Sequence, residues 1–122
     1  METKVRGIRG AIQVSEDSID SVLGATRRLL EAMLGLNEVA TEDAISAIFT
    51  TTPDLKSCFP AEAARSLGFS DTPLICAQEI AVPGSLPRVV RVLLWVHTAR
   101  SKSDIKHVYL DGAEALRKDI AQ

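Results

Sequence analysis

The segment from Val89 to His97, which reads VVRVLLWVH, constrains the fold of this chain more than any other. β-Branched and aromatic residues fill it, so it reads as a strand whose side chains alternate between two faces. Val90, Val92, Leu94 and Val96 make one face. Arg91, Leu93 and Trp95 make the other, which is also largely apolar. The chain offers one long helix to cover such a sheet, and one helix covers one face. The second face calls for cover from another subunit, usually in a closed homo-oligomer. The expectation is an α+β fold whose sheets pack together in an oligomer core.

That helix is read from about Asp17 to Leu34. Ile19, Val22, Leu23, Thr26, Leu30, Met33 and Leu34 form an apolar stripe at helical spacing. Ser15 or Asp17 is the expected cap and Gly35 the expected stop. Before it, Lys4 to Val14 reads as a strand, with Ile8, Gly10, Ile12 and Val14 on one side and Gly7, Arg9 and Ala11 on the other. Thr41 to Asp43 reads as a turn, Ala44 to Thr52 as a buried strand, and Ala61 to Leu67 as a short helix between Pro60 and Gly68. Pro73 to Ile80 and His107 to Leu110 are further strands, and residues 83–87 are a loop. Ala113 to Arg117 is either a last strand or an ordered tail. The 122 residues make one domain, 1–122.

Composition removes several classes of function. With 46% hydrophobic and 25% charged residues, the chain is globular. A formal charge of −2 gives no electrostatic footprint for nucleic acid, so no such partner is expected. The longest apolar run, Val92 to Val96, is far too short to span a membrane, and no signal peptide is read at the N-terminus, which makes the cytoplasm the expected location. Two cysteines, Cys58 and Cys76, and two histidines at unrelated spacings do not make a metal site. No nucleophile elbow or phosphate loop is present. Among the cations, nine arginines stand against five lysines, a bias that suits fork-shaped recognition of carboxylates.

Arg91 carries the sharpest question. A guanidinium within an apolar strand is costly unless it meets an anion. Either it pairs with Glu79 as a structural salt bridge, or it waits in a pocket for a substrate oxygen. Arg9 also sits within a strand, beside small residues that leave room for a ligand. The residues alone leave both alternatives open.

A run of motifs then bears on the choice: Val5-Arg6-Gly7-Ile8-Arg9-Gly10-Ala11, Thr52-Pro53-Asp54-Leu55, Phe59-Pro60-Ala61 with Arg65, Cys76-Ala77-Gln78-Glu79, Arg88 to Arg91, and His107-Val108-Tyr109-Leu110. In content and order, across nearly the whole chain, they resemble the monofunctional chorismate mutases of the trimeric α+β, Bacillus type (AroH-like). The resemblance implies a mixed β-sheet packed on one long helix and short helices, and a homotrimer with a barrel-like interface core. It also implies active sites between subunits, chorismate as the small-molecule partner, prephenate as product, and no cofactor. By the same resemblance Arg91 and Glu79 are catalytic. Arg9, Tyr109, Ile75, Cys76, Phe59, Ala61, Arg65, Leu116 and Arg117 are substrate-binding, with Phe59, Ala61 and Arg65 reaching the pocket from the neighbouring subunit. Strand parity turns the Cys76 side chain away from Glu79, so its contact would run through backbone. Phe59 equally fits a core position and Arg65 a solvated one.

Two departures touch the pattern. Glu62 stands where some relatives place lysine, and Lys118 follows Arg117 where relatives commonly place proline. Two competing functions share the expected anion pocket: a trimeric imine deaminase of the Rid type, and a non-catalytic oligomeric binding module.

Overall fold

The computed structural model describes residues 2–117. Its centre is a five-stranded mixed sheet. The strands are β1 (Lys4–Gln13), β2 (Ala44–Thr51), β3 (Leu74–Gln78), β4 (Val89–Thr98) and β5 (Val108–Leu110), in the spatial order β3-β2-β4-β1-β5. β4 is central and antiparallel to both β1 and β2, whereas β3 and β5 lie parallel to their neighbours at the two edges. The most apolar strand therefore occupies the most buried place, as its composition requires.

Helix α1 (Ile19–Leu36) covers one face. Leu29, Leu30 and Met33 on the helix are fully buried with Ile8, Ile12, Phe49, Val90, Leu94 and Val96 from the sheet. The same core takes in the short helix α2 (Ala61–Leu67) through Ala61 and Ala64. α2 ends where Gly68 adopts φ +117°, a conformation open to glycine and strained for other residues. Close approach of α1 to β1 is possible because position 10 has no side chain: a Cβ there would overlap the Met33 sulfur.

Several expected boundaries shift. The cap of α1 is neither Ser15 nor Asp17 but Ser18, whose hydroxyl accepts from the Ser21 amide at 3.2 Å. Asp17 instead accepts the backbone N–H groups of Lys56 and Ser57, tying the loop before α2 to the start of α1. Gly35 does not stop α1; the helix runs to Leu36, and Asn37 closes it by donating to the Met33 and Lys106 carbonyls. Ile19 lies outside the apolar stripe and is exposed. The 113–117 segment is not a strand. Residues 113–116 belong to a 3-10 helix, Asp111–Leu116, that folds across the second face of the sheet, and Arg117 caps it. There Ala113 is buried with Ala11 and Val89, and Leu116 packs against them with Leu86 and Tyr109. The Lys118 departure lies outside the described residues.

Candidate active site

The second face of the sheet gathers several of the expected site residues. Strand register lines up one row across all five strands: Ala77, Thr50, Arg91, Ala11 and Tyr109. Arg91 stands at the middle of that row. In the next row Ile75, Ile48, Leu93 and Arg9 follow in the same order. Three of the expected residues, Arg91, Arg9 and Tyr109, thus come from three different strands to one surface. They line a cavity of about 400 Å³ with Ile48, Thr50 and Leu93, within the usual size range for small-ligand sites.

Glu79 follows directly on β3, and its amide extends the β2–β3 ladder by donating to the Thr51 carbonyl at 2.8 Å. This carries its carboxylate to Arg91, where Oε2 lies 3.5 Å from Nε. Thr50 Oγ1 donates to the same carboxylate oxygen and so fixes its orientation. The Arg91–Glu79 contact is an ion pair by distance but lacks hydrogen-bond geometry. Arg91 Nε is buried and finds no acceptor among the described residues. A buried, charged donor left unpaired costs on the order of 1–3 kcal/mol or more. Both readings of Arg91 are therefore partly met: it pairs with Glu79, yet the pairing leaves a donor unsatisfied beside a cavity.

Arg91 also borders a second cavity of about 630 Å³, together with Glu79, Thr52, Ile80, Val82 and Leu116. Leu116 arrives from the C-terminal 3-10 helix on the far side. Arg117 lies elsewhere, on a surface groove with Leu36, Arg100 and His107. Ile75 faces the cavity side of β3 and is exposed, whereas Cys76, opposite Phe49, packs on the core under the helices. Phe59, Ala61 and Arg65 line neither cavity that holds Arg91. Phe59 is 69% exposed, so it is not a core residue. Arg65 is also exposed, but the Ala61 methyl is buried in the core.

Thr50 and His107 belong to this arrangement, although neither was among the expected site residues. Thr50 is one of three successive threonines, and only register places it beside Arg91. His107 Nδ1 accepts the Arg9 backbone N–H at 2.9 Å, joining β1 to the start of the segment that carries Tyr109. Burial, and then the nearby Arg9 charge, hold the His107 pKa below the usual histidine value. That favours the neutral ring which the contact requires.

The fold matches that of a solved chorismate mutase from Clostridium thermocellum, with a TM-score of 0.89 and 48% sequence identity. The match covers 91% of this chain and 99% of that one. The family model described as chorismate mutase type I matches residues 5–120. The chain belongs to this family. Among curated members, the chorismate mutase AroH of Thermus thermophilus is 50% identical over 117 residues, 95% of this chain and 96% of the relative. The AroH of Bacillus subtilis is 39% identical over 118 residues, 96% and 93% of the two chains. None of these relatives supports the imine-deaminase or binding-module readings. The mixed α+β fold expected from the sequence is the fold of the family, and among the described residues no helix is long and apolar enough to cross a membrane.

Proposed function

We propose that this chain is a chorismate mutase that rearranges chorismate to prephenate, on the route to phenylalanine and tyrosine, with Arg91 as the electrostatic catalyst. The observation that carries the mechanism is the unpaired, buried Nε of Arg91 beside a cavity that Arg9 and Tyr109 also line.

In this intramolecular rearrangement the ether C–O bond breaks ahead of C–C bond formation, so negative charge gathers on the ether oxygen. A guanidinium aimed at that oxygen stabilises the transition state more than the ground state, which is what accelerates a reaction. Arg91 takes this role. Glu79, held by Thr50, accepts the ring hydroxyl and balances positive charge developing on the ring. Arg9 and Tyr109 bind carboxylate and enolpyruvyl groups and keep the substrate in its folded conformer. Ile75 and the backbone at Cys76 form a wall of the site and Leu116 closes its far side, whereas Arg117 stands on the groove with Leu36 and His107, away from both cavities that Arg91 borders. Acid–base exchange and a covalent intermediate have no place in such a step, so the reaction calls for no cofactor.

We further read the working form as a homotrimer with a barrel-like core and sites between subunits. Three features support it: partly buried Leu93 and Trp95 on the second sheet face, the exposed apolar residues Ile75, Ile80 and Val82, and Phe59 standing out from its own chain. Phe59, Arg65 and the backbone at Ala61 then complete a neighbour's site. A cytoplasmic location fits the two free cysteines.

The direct test follows chorismate absorbance after addition of purified protein. Wild type is expected to turn it over, and Arg91→Ala to lose about a hundredfold or more in kcat, as for removal of one oxyanion donor. Absence of wild-type turnover sinks the assignment, and undiminished turnover by Arg91→Ala sinks the mechanism.

A further inference from the structure

The C-terminal 3-10 helix reaches the Arg91 cavity from an unusual root. At Asp111, directly after β5, the backbone takes φ +55°, a left-handed conformation that only a few residue types, aspartate and asparagine among them, adopt readily. This turn sends the chain off the sheet edge and across its second face. One guanidinium nitrogen of Arg28, on α1, donates to both Asp111 carboxylate oxygens at 3.0 and 3.1 Å. The next residue, Gly112, lies so close to Gln13 that a Cβ would overlap the Gln13 Oε1. Gln13 cannot swing away without losing its bond to the Pro87 carbonyl at 3.1 Å. Ala113 is then fully buried against Ala11 and Val89. Three residues later Leu116 lines the cavity of Glu79 and Arg91.

We infer that Arg28 and Asp111 form a latch at the root of the C-terminal segment, and that they act as positioning residues setting Leu116 against the substrate cavity. This rests on the reading of the Arg91 site, which both of these cavities border, as the chorismate site. Contacts at Gly112 and Ala113 fix where the segment lies. The ion pair fixes the turn that aims it, because it is the only one of the three anchored to α1. Arg28 and Asp111 line neither cavity that holds Arg91, so their effect on the reaction passes through Leu116. The pair is about half exposed on both sides, which places it among modest contacts. Loss of the latch should therefore loosen substrate capture and leave the chemical step intact.

Arg28→Ala and Asp111→Asn are the informative single variants, since asparagine keeps the left-handed turn and removes the charge. Each is expected to raise KM for chorismate about threefold to fivefold with kcat within about twofold of wild type. The double variant should be no worse than either single one. Arg28→Lys should restore wild-type KM, because one nitrogen makes both contacts. Amide hydrogen exchange over residues 111–116 of the full chain, followed by mass spectrometry, should quicken in both single variants and not in Arg28→Lys. Unchanged exchange, additive effects in the double variant, or a fall in kcat without a rise in KM would each overturn the latch. Lack of turnover by the wild type would instead refute the site reading, and exchange would still decide whether the pair holds the segment.

Discussion

At the scale of single residues, the site turns on what each charge meets. Arg91 faces Glu79 at 3.5 Å and keeps an unpaired donor, so it is poised for one more oxygen. Arg91→Lys should recover little of the activity lost in Arg91→Ala, since a compact ammonium cannot reproduce a fixed planar fork. Steady-state kcat for the two variants decides this, and near-wild-type turnover by the lysine variant would count against the geometry. His107 adds a pH term. Its folded pKa is depressed, so its contribution is present above the usual histidine value of about 6.5 and is lost as pH falls through the lower folded value. Protonation turns Nδ1 from acceptor to donor and strips the Arg9 amide of its partner. KM for chorismate should stay flat through the usual histidine range and rise only as pH falls through the lowered folded value, and His107→Gln, which keeps an acceptor that does not titrate, should flatten that rise. An identical profile in the variant would refute the link.

At the scale of elements, the contact of α1 with β1 decides where the sheet can carry side chains. Two glycines make the same substitution read with opposite sign. Gly10→Ala drives a methyl into Met33 and Leu29 and should destabilise the fold by about 1–3 kcal/mol, as overpacking does. Gly24, inside α1, has nothing within 4 Å of an added Cβ, so Gly24→Ala should stabilise by about 0.5–1 kcal/mol. Denaturant midpoints at fixed pH read both effects, and two shifts of the same sign would show that the helix–strand approach is looser than described. On the other side of the molecule, Thr52 accepts the Val89 amide and donates to Asp54, which in turn accepts the Arg88 amide. This network pins the start of β4 two residues before Arg91, just after Arg88, which sits at φ +53°.

At the scale of the whole molecule, one sheet face is covered by α1 and the other only partly, by the 3-10 helix. A homotrimer that shares its sites makes a sharp prediction. Arg91→Ala and Arg65→Ala damage opposite sides of each site, so mixed trimers contain some sites with neither lesion. Equal mixtures, unfolded and refolded together, should exceed the mean activity of the two variants refolded alone. Activity equal to that mean would mean that each site is built by one chain.

Much of this organisation was legible before any fold was known. The alternating apolar residues named β4 and its two faces, and helical spacing named the face of α1, because periodicity follows directly from backbone geometry. Pro60 and Gly68 bounded α2 correctly, since each restricts or permits one backbone conformation. The motif resemblance named the family. Caps were less legible: Ser15, Asp17 and Ser18 are all competent, and the direction of the incoming chain selects among them. The sequence by itself determined which residues are apolar, at what period, and which charges stand among them. Only the tertiary structure decided that Thr50 and Ala11 flank Arg91, that His107 holds Arg9, and that residues 113–116 lie across the sheet. Those facts depend on strand register and on contacts between residues far apart in the chain, and no local preference encodes either.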